Sequence, residues 1–139
     1  MHPQILSDRN RPEIKDLMER SMHDRFPSDF AFTNVSGVRD TLPEGQLFAR
    51  HIWNVMPFDN RVVIAEVPGD QLMKLEDPSR PVKVAGTAKL DSARTYRLVT
   101  TDFLASSWRD RGYKFRVTDQ GALLRDVLID WIRQRKTIP

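Results

Sequence analysis

Cysteine is missing from the 139 residues, which removes disulfides, thiolate-bound metals and a cysteine nucleophile together. Histidine is scarce: only His2, His23 and His51 occur. A two-metal hydrolytic site gathers several carboxylates and imidazoles around both ions. His51 lies between Arg50 and Ile52 with no acidic residue at ligand spacing, His23 neighbours Asp24, and His2 is near an end, so each reads as structural or surface. No apolar run approaches the roughly 20 residues of a membrane-spanning helix; the longest are pieces such as Val62-Val63-Ile64-Ala65. Residues 1–10 hold a proline, charged side chains and no apolar stretch, so they read as a flexible start rather than a secretory signal, and the compartment stays unassigned. Glycine-rich phosphate loops are absent, as is a nucleophile with a base beside it. Charge is not concentrated either. The 22 Lys and Arg are scattered among 19 acids for a net +3 and a pI near 9.5, which favours anionic ligands modestly and does not indicate nucleic acid.

What is present is an ordinary globular composition, 40% hydrophobic, of a length that suits one compact domain, expected over residues 11–139. Over residues 11–26, Ile14, Leu17, Met18, Met22 and Phe26 share one helical stripe, with Pro12 suited to the first turn. Pro27-Ser28-Asp29 stops this helix, and residues 30–33 read as a short buried strand that opens into a loop over residues 34–39. Leu47, Phe48, Ile52 and Val55 give a second helical pattern that Pro57 ends. Residues 61–67 are rich in β-formers, and Pro68-Gly69 turns them into a short helix with Leu72, Met73 and Leu75 inward. Residues 81–85, 95–100 and 113–117 are strand candidates by alternation. A last helix over residues 122–135 aligns Leu124, Val127, Leu128 and Trp131. Helices and strands mix without regular βαβ alternation, so the fold class is α+β, a mixed sheet packed by amphipathic helices.

Thr33-Asn34-Val35-Ser36-Gly37-Val38-Arg39, followed by Pro43-Glu44-Gly45, resembles the Asn-x-x-Gly-[Ile/Val]-Arg loop of the 5'-nucleotidase C-terminal domain family. In order after it, Pro57-Phe58-Asp59-Asn60 resembles that family's Pro-Phe-x-Asn turn, and Val62 to Leu75, with Gly69-Asp70-Gln71-Leu72, its strand-Gly-helix unit. The segment from Tyr96 through Thr100, Phe103, Leu104 and Ala105 is similar to its Tyr-x-Val-x-Thr-x-x-Phe-Leu-Ala segment. The resemblance spans roughly residues 11–138. It departs in two places: the family's Gly-Gly-Asp-Gly-Tyr loop is here Ser106-Ser107-Trp108-Arg109-Asp110-Arg111-Gly112-Tyr113, and the stretch between Leu75 and Tyr96 is shorter, so an abbreviated sheet is expected.

The resemblance implies a nucleoside- or nucleotide-recognition domain. Its partner would be a metallophosphoesterase domain that holds a divalent metal pair and hydrolyses the phosphate ester, so this chain alone is expected to be inactive and to carry neither catalytic nor metal-binding residues. Family members are mostly periplasmic or extracellular. The resemblance makes Phe58 and Phe103 an aromatic clamp on the base; from the residues alone, the core reading of both comes first. Arg39 would offer its planar donor fork to a phosphate or sugar oxygen, or else pair on the surface with Asp40 or Glu44. Asn34 suits ribose recognition or capping of its own loop, and Asn60 a base edge or a turn. Asp110 is the nearest candidate for the ribose contact, while Arg9 and Arg11 flank the place of a phosphate-binding arginine. The alternative is a degenerate domain that binds a protein or polyanion, with Trp108 as an exposed anchor or else filling the space of the missing glycines and blocking the sugar site. A fragment of a longer gene is a further reading.

Overall fold

Asn10 caps the first helix. Its side chain accepts from the backbone N–H of Glu13 at 3.0 Å, and Glu13 returns the bond to the Asn10 N–H at 3.3 Å, so two donors that a helix start leaves unpaired are met reciprocally. The helix, α1, runs Arg11–Arg25 with Pro12 in its first turn, as the periodicity predicts. The computed structural model describes residues 4–5, 10–34, 38–42, 44–72, 91–135 and 137–138. Val35, Ser36, Gly37, Met73, Leu75, the strand expected over residues 81–85 and the site of the expected abbreviation lie outside them.

The elements that follow α1 are β2 (Phe30–Ala31), β3 (Gly45–Gln46), α2 (Ala49–Val55), β4 (Arg61–Pro68), α3 (Gly69–Leu72), β5 (Thr95–Thr101), α4 (Asp102–Asp110), β6 (Arg116–Leu123), α5 (Leu124–Arg133) and β7 (Thr137–Ile138); β1 (Gln4–Ile5) precedes it. Four strands form one mixed sheet in the order β2-β5-β4-β6. The β2 and β5 strands are parallel, while β4 runs antiparallel to both β5 and β6. A second, small sheet joins β1 in parallel to β7 and antiparallel to β3, so part of the stretch expected to fray is tied to both distant segments.

Alternation along the strands splits the interior in two. Val62 and Ile64 of β4 and Val99 of β5 face a core made with α1, α2 and α5, while Ala65, Val67, Tyr96 and Leu98 face a second core with Leu72, Leu104 and Trp108. The first core is cross-tied where the Trp131 indole N–H donates to Asp24 at 2.7 Å, joining α5 to α1.

Two sequence expectations are corrected here. The strand expected over residues 113–117 instead spans β6, because Gly112 turns at φ 99 and the Tyr113 N–H still bonds the Trp108 carbonyl at 3.1 Å, which holds the chain at the helix exit. Pairing continues through Asp119 and a bulge that sets Arg61 opposite Leu123 but Val63 opposite Asp119; Gly121 supplies its positive φ of 74. Ala122 and Leu123 are therefore strand, and the last helix starts at Leu124. The other correction concerns residues 106–110, expected as a loop, which are helical. Thr101 caps α4 by accepting from the Leu104 N–H at 3.3 Å, and Leu104, Ala105 and Trp108 supply its buried face.

Candidate functional site

Strand directions decide which loops meet. The β5 strand ends where β4 begins, β2 leaves at the same end because it is parallel to β5, and β6 hands over to α5 there because it is antiparallel to β4. One end of the sheet therefore collects Thr33 and Asn34, the turn at residues 57–60, the start of α4 and the start of α5. Hydrogen bonds lock the convergence. One Asp102 carboxylate oxygen accepts from the backbone N–H of Arg61 at 3.1 Å and of Phe103 at 2.8 Å, and the Asn60 carbonyl accepts from Leu124 N–H at 2.9 Å.

Phe58 and Phe103 both sit at this end and both are open to solvent, at 42% and 60% exposure, so the core reading of these two rings is overturned. Large aromatics left exposed together mark a surface that meets something else. The guanidinium of Arg39 lies 5.2 Å from the Phe58 ring centroid, a cation–π distance. Its backbone N–H is bonded to the Val55 carbonyl at 2.8 Å, at the end of α2. The neighbouring Val38 carbonyl accepts from Arg11 Nε at 2.6 Å, so Arg11 braces this loop; Arg9 lies outside the described residues.

Asn34 is buried and Asn60 half-buried, the carbonyl of the latter tied to the start of α5. Asp110 is not part of the gathering. It is exposed at the last residue of α4, and seven residues of helix carry it about 10 Å from Phe103. Trp108 is fully buried, its ring centroid 6.0 Å from that of Phe32, so the expectation of an exposed partner anchor fails.

The loop that leads to Asn34 is held from α1. Glu19 accepts the Thr33 N–H at 2.9 Å and pairs with Lys15 at 2.7 Å, and Lys15 Nζ sits 4.8 Å from the Phe32 centroid. Burial pushes the Glu19 carboxyl above the ordinary glutamate value, against the lowering effect of the Lys15 and Thr33 hydrogen bonds. A raised folded value means the native state holds this proton more tightly than the unfolded chain. The contribution is therefore full below the unfolded value and is lost as pH rises through the folded one. Denaturant unfolding of wild type and Glu19→Gln between about pH 4 and pH 7 is expected to show wild type losing stability relative to the variant as pH rises; a difference independent of pH would refute it.

Sequence reasoning missed Arg125. Its side chain is 4% exposed and pairs with Asp59 at 2.7 Å, and no periodicity announces a buried arginine on a flank of α5. Arg61, by contrast, is engaged with Asp119 at 2.6 Å in the open. That bond and the Gly121 N–H hold the Asp119 carboxyl below its usual range. His51 and His23 both serve local structure: His51 Nδ1 accepts the Phe48 N–H at 2.9 Å, and His23 Nε2 lies 3.0 Å from the Ser28 carbonyl.

Among the described residues, no three His, Cys, Asp or Glu side chains gather as a metal site requires. No helix among them is long and apolar enough to cross a membrane. A cleft of about 250 Å³ between α1 and α5 is lined by Asp24, Asp126 and Asp130 with Trp131. Arg25 lines it as well, a second cleft of about 640 Å³ beside α1 and β2 is larger, and none of the expected residues lines either.

Comparison with known proteins agrees with the family resemblance. Protein UshA of Escherichia coli (strain K12) is 29% identical over 114 residues, covering 65% of this chain and 21% of that protein. The chain thus spans about a fifth of that curated relative. A 5'-nucleotidase precursor from Thermus thermophilus superposes with a TM-score of 0.80 at 18% identity, over 99% of this chain and 37% of that one. The Haemophilus influenzae NAD nucleotidase (NadN) gives 0.70 at 12% identity, over 90% and 30%. The family model for the 5'-nucleotidase C-terminal domain matches residues 6–79, more than half of the sequence, and the chain belongs to that family.

Proposed function

We propose that the aromatic end of the sheet receives a nucleoside or nucleotide. Phe58 and Phe103 stack on the base, Arg39 donates to a phosphate or sugar oxygen, Asn34 meets the ribose, and Asn60 approaches the base edge. Asp110 drops out of the ribose role because α4 carries it away. The observation that carries the reading is the exposure of two phenylalanines at one sheet end with an arginine beside one of them. Two structural relatives, a 5'-nucleotidase precursor and an NAD nucleotidase, support the same ligand class.

Hydrolysis of the phosphate ester is assigned to a metallophosphoesterase domain with a divalent metal pair, in the same parent chain or supplied separately. The rival reading, a degenerate domain that binds a protein or polyanion, loses its anchor now that Trp108 is buried.

Calorimetric titration of the chain with adenosine and AMP tests the proposal. Each stacking contact contributes about 1–3 kcal/mol, and with the Arg39 contact the expected binding is measurable at millimolar ligand. AMP incubated with the chain and Mn²⁺ should release no phosphate. Absence of binding at millimolar ligand, or phosphate release by the chain alone, would overturn the reading.

A further inference from the structure

We propose that Arg125 is a positioning residue for this site: from beneath the turn at residues 57–60 it fixes the backbone that carries Phe58, and thereby sets how strongly the site holds a base. The inference rests on the reading above that Phe58 stacks on a ligand. Arg125 Nη1 donates to the carbonyls of Met56 at 3.2 Å and Phe58 at 3.1 Å, and Nη2 to Asp59 at 2.7 Å. The face of the same guanidinium lies 3.5 Å from the ring centroid of Trp53, an indole 52% exposed on α2. One planar cation thus joins the start of α5, the end of α2 and the turn before β4.

The ion pair is not what this arrangement is for. Asp59 is 76% exposed, and solvent leaves such a pair little net energy. The two carbonyl bonds run to backbone on either side of Pro57, which has no N–H of its own to anchor the turn. Lysine, a single point charge on a flexible stem, has no fork with which to hold both carbonyls and Asp59 in a fixed plane.

A double-mutant cycle in adenosine affinity separates positioning from general support of the fold, because only a residue that acts through Phe58 loses its effect once that ring is gone. Calorimetry would be run on the full chain as wild type, R125K, F58A and the R125K/F58A double variant, with thermal melts to establish folding. R125K keeps the buried cation and guards against the unfolding that R125M would risk. The expected result is about tenfold weaker adenosine binding in R125K, and a double variant no weaker than F58A. Wild-type affinity in R125K, or losses that add fully in the double variant, would overturn the inference while leaving the site intact. A wild-type chain that binds no adenosine would remove the reading beneath it as well.

Discussion

Trp108→Ala is expected to lower the unfolding free energy by about 3–5 kcal/mol, a large share of the roughly 5–15 kcal/mol typical of a domain. The indole is fully buried on the inner face of α4, against Phe32 and beside Leu98 and Leu104 in the second core. Its removal leaves a cavity under α4, which packs on this part of the sheet. Urea denaturation measures the loss, and a change of less than about 1 kcal/mol would place Trp108 outside the core. The same variant bears on function, because α4 begins at Phe103's end of the sheet, and a loosened α4 should weaken adenosine binding as well.

Gly69→Ala should be nearly as damaging, for a different reason. The backbone of Gly69 bonds the Arg94 carbonyl at 2.7 Å. A Cβ there would overlap the Asp91 carbonyl oxygen and come within 2.8 Å of its carbon and 3.1 Å of the Arg94 oxygen. These are backbone atoms, which have no rotamer by which to move aside, so the junction of β4 and α3 must shift. Overpacking of this kind costs about 1–3 kcal/mol, and the upper end is expected here. An exposed neighbour, Asp70→Ala, serves as control and should change stability by no more than about 0.5 kcal/mol. Equal effects from the two substitutions would contradict the close approach.

Several elements were readable because their cause is local. The stripe from Ile14 to Met22 and the β-rich run from Arg61 to Val67 report their own burial, and α1 and β4 formed where the periodicity put them. The end of β6 was not readable, because Thr118-Asp119-Gln120-Gly121 has the composition of a turn and becomes strand only through its pairing with β4 across a bulge. The helical turns of residues 106–110 had a local signal in the cap at Thr101 and the spacing of Leu104, Ala105 and Trp108. Matching that stretch to a glycine-rich loop hid it. For the site, order along the chain singled out Phe58, Phe103 and Arg39, but whether the two rings were core or surface depended on tertiary packing, which leaves both exposed. Arg125 was invisible for a related reason, since its partners Met56, Phe58 and Asp59 lie 66 to 69 residues away.

The central claim is that these two exposed rings hold a nucleoside, and adenosine titrations of wild type, Phe58→Ala and Phe103→Ala by calorimetry test it most directly. Each ring is about half exposed or more, so neither truncation should disturb folding, and thermal melts should be close to wild type. The expected result is wild-type binding that weakens at least about fivefold in each variant, the lower limit for one lost stacking contact. Binding that persists unchanged in both would place the ligand elsewhere on the domain and contradict the account.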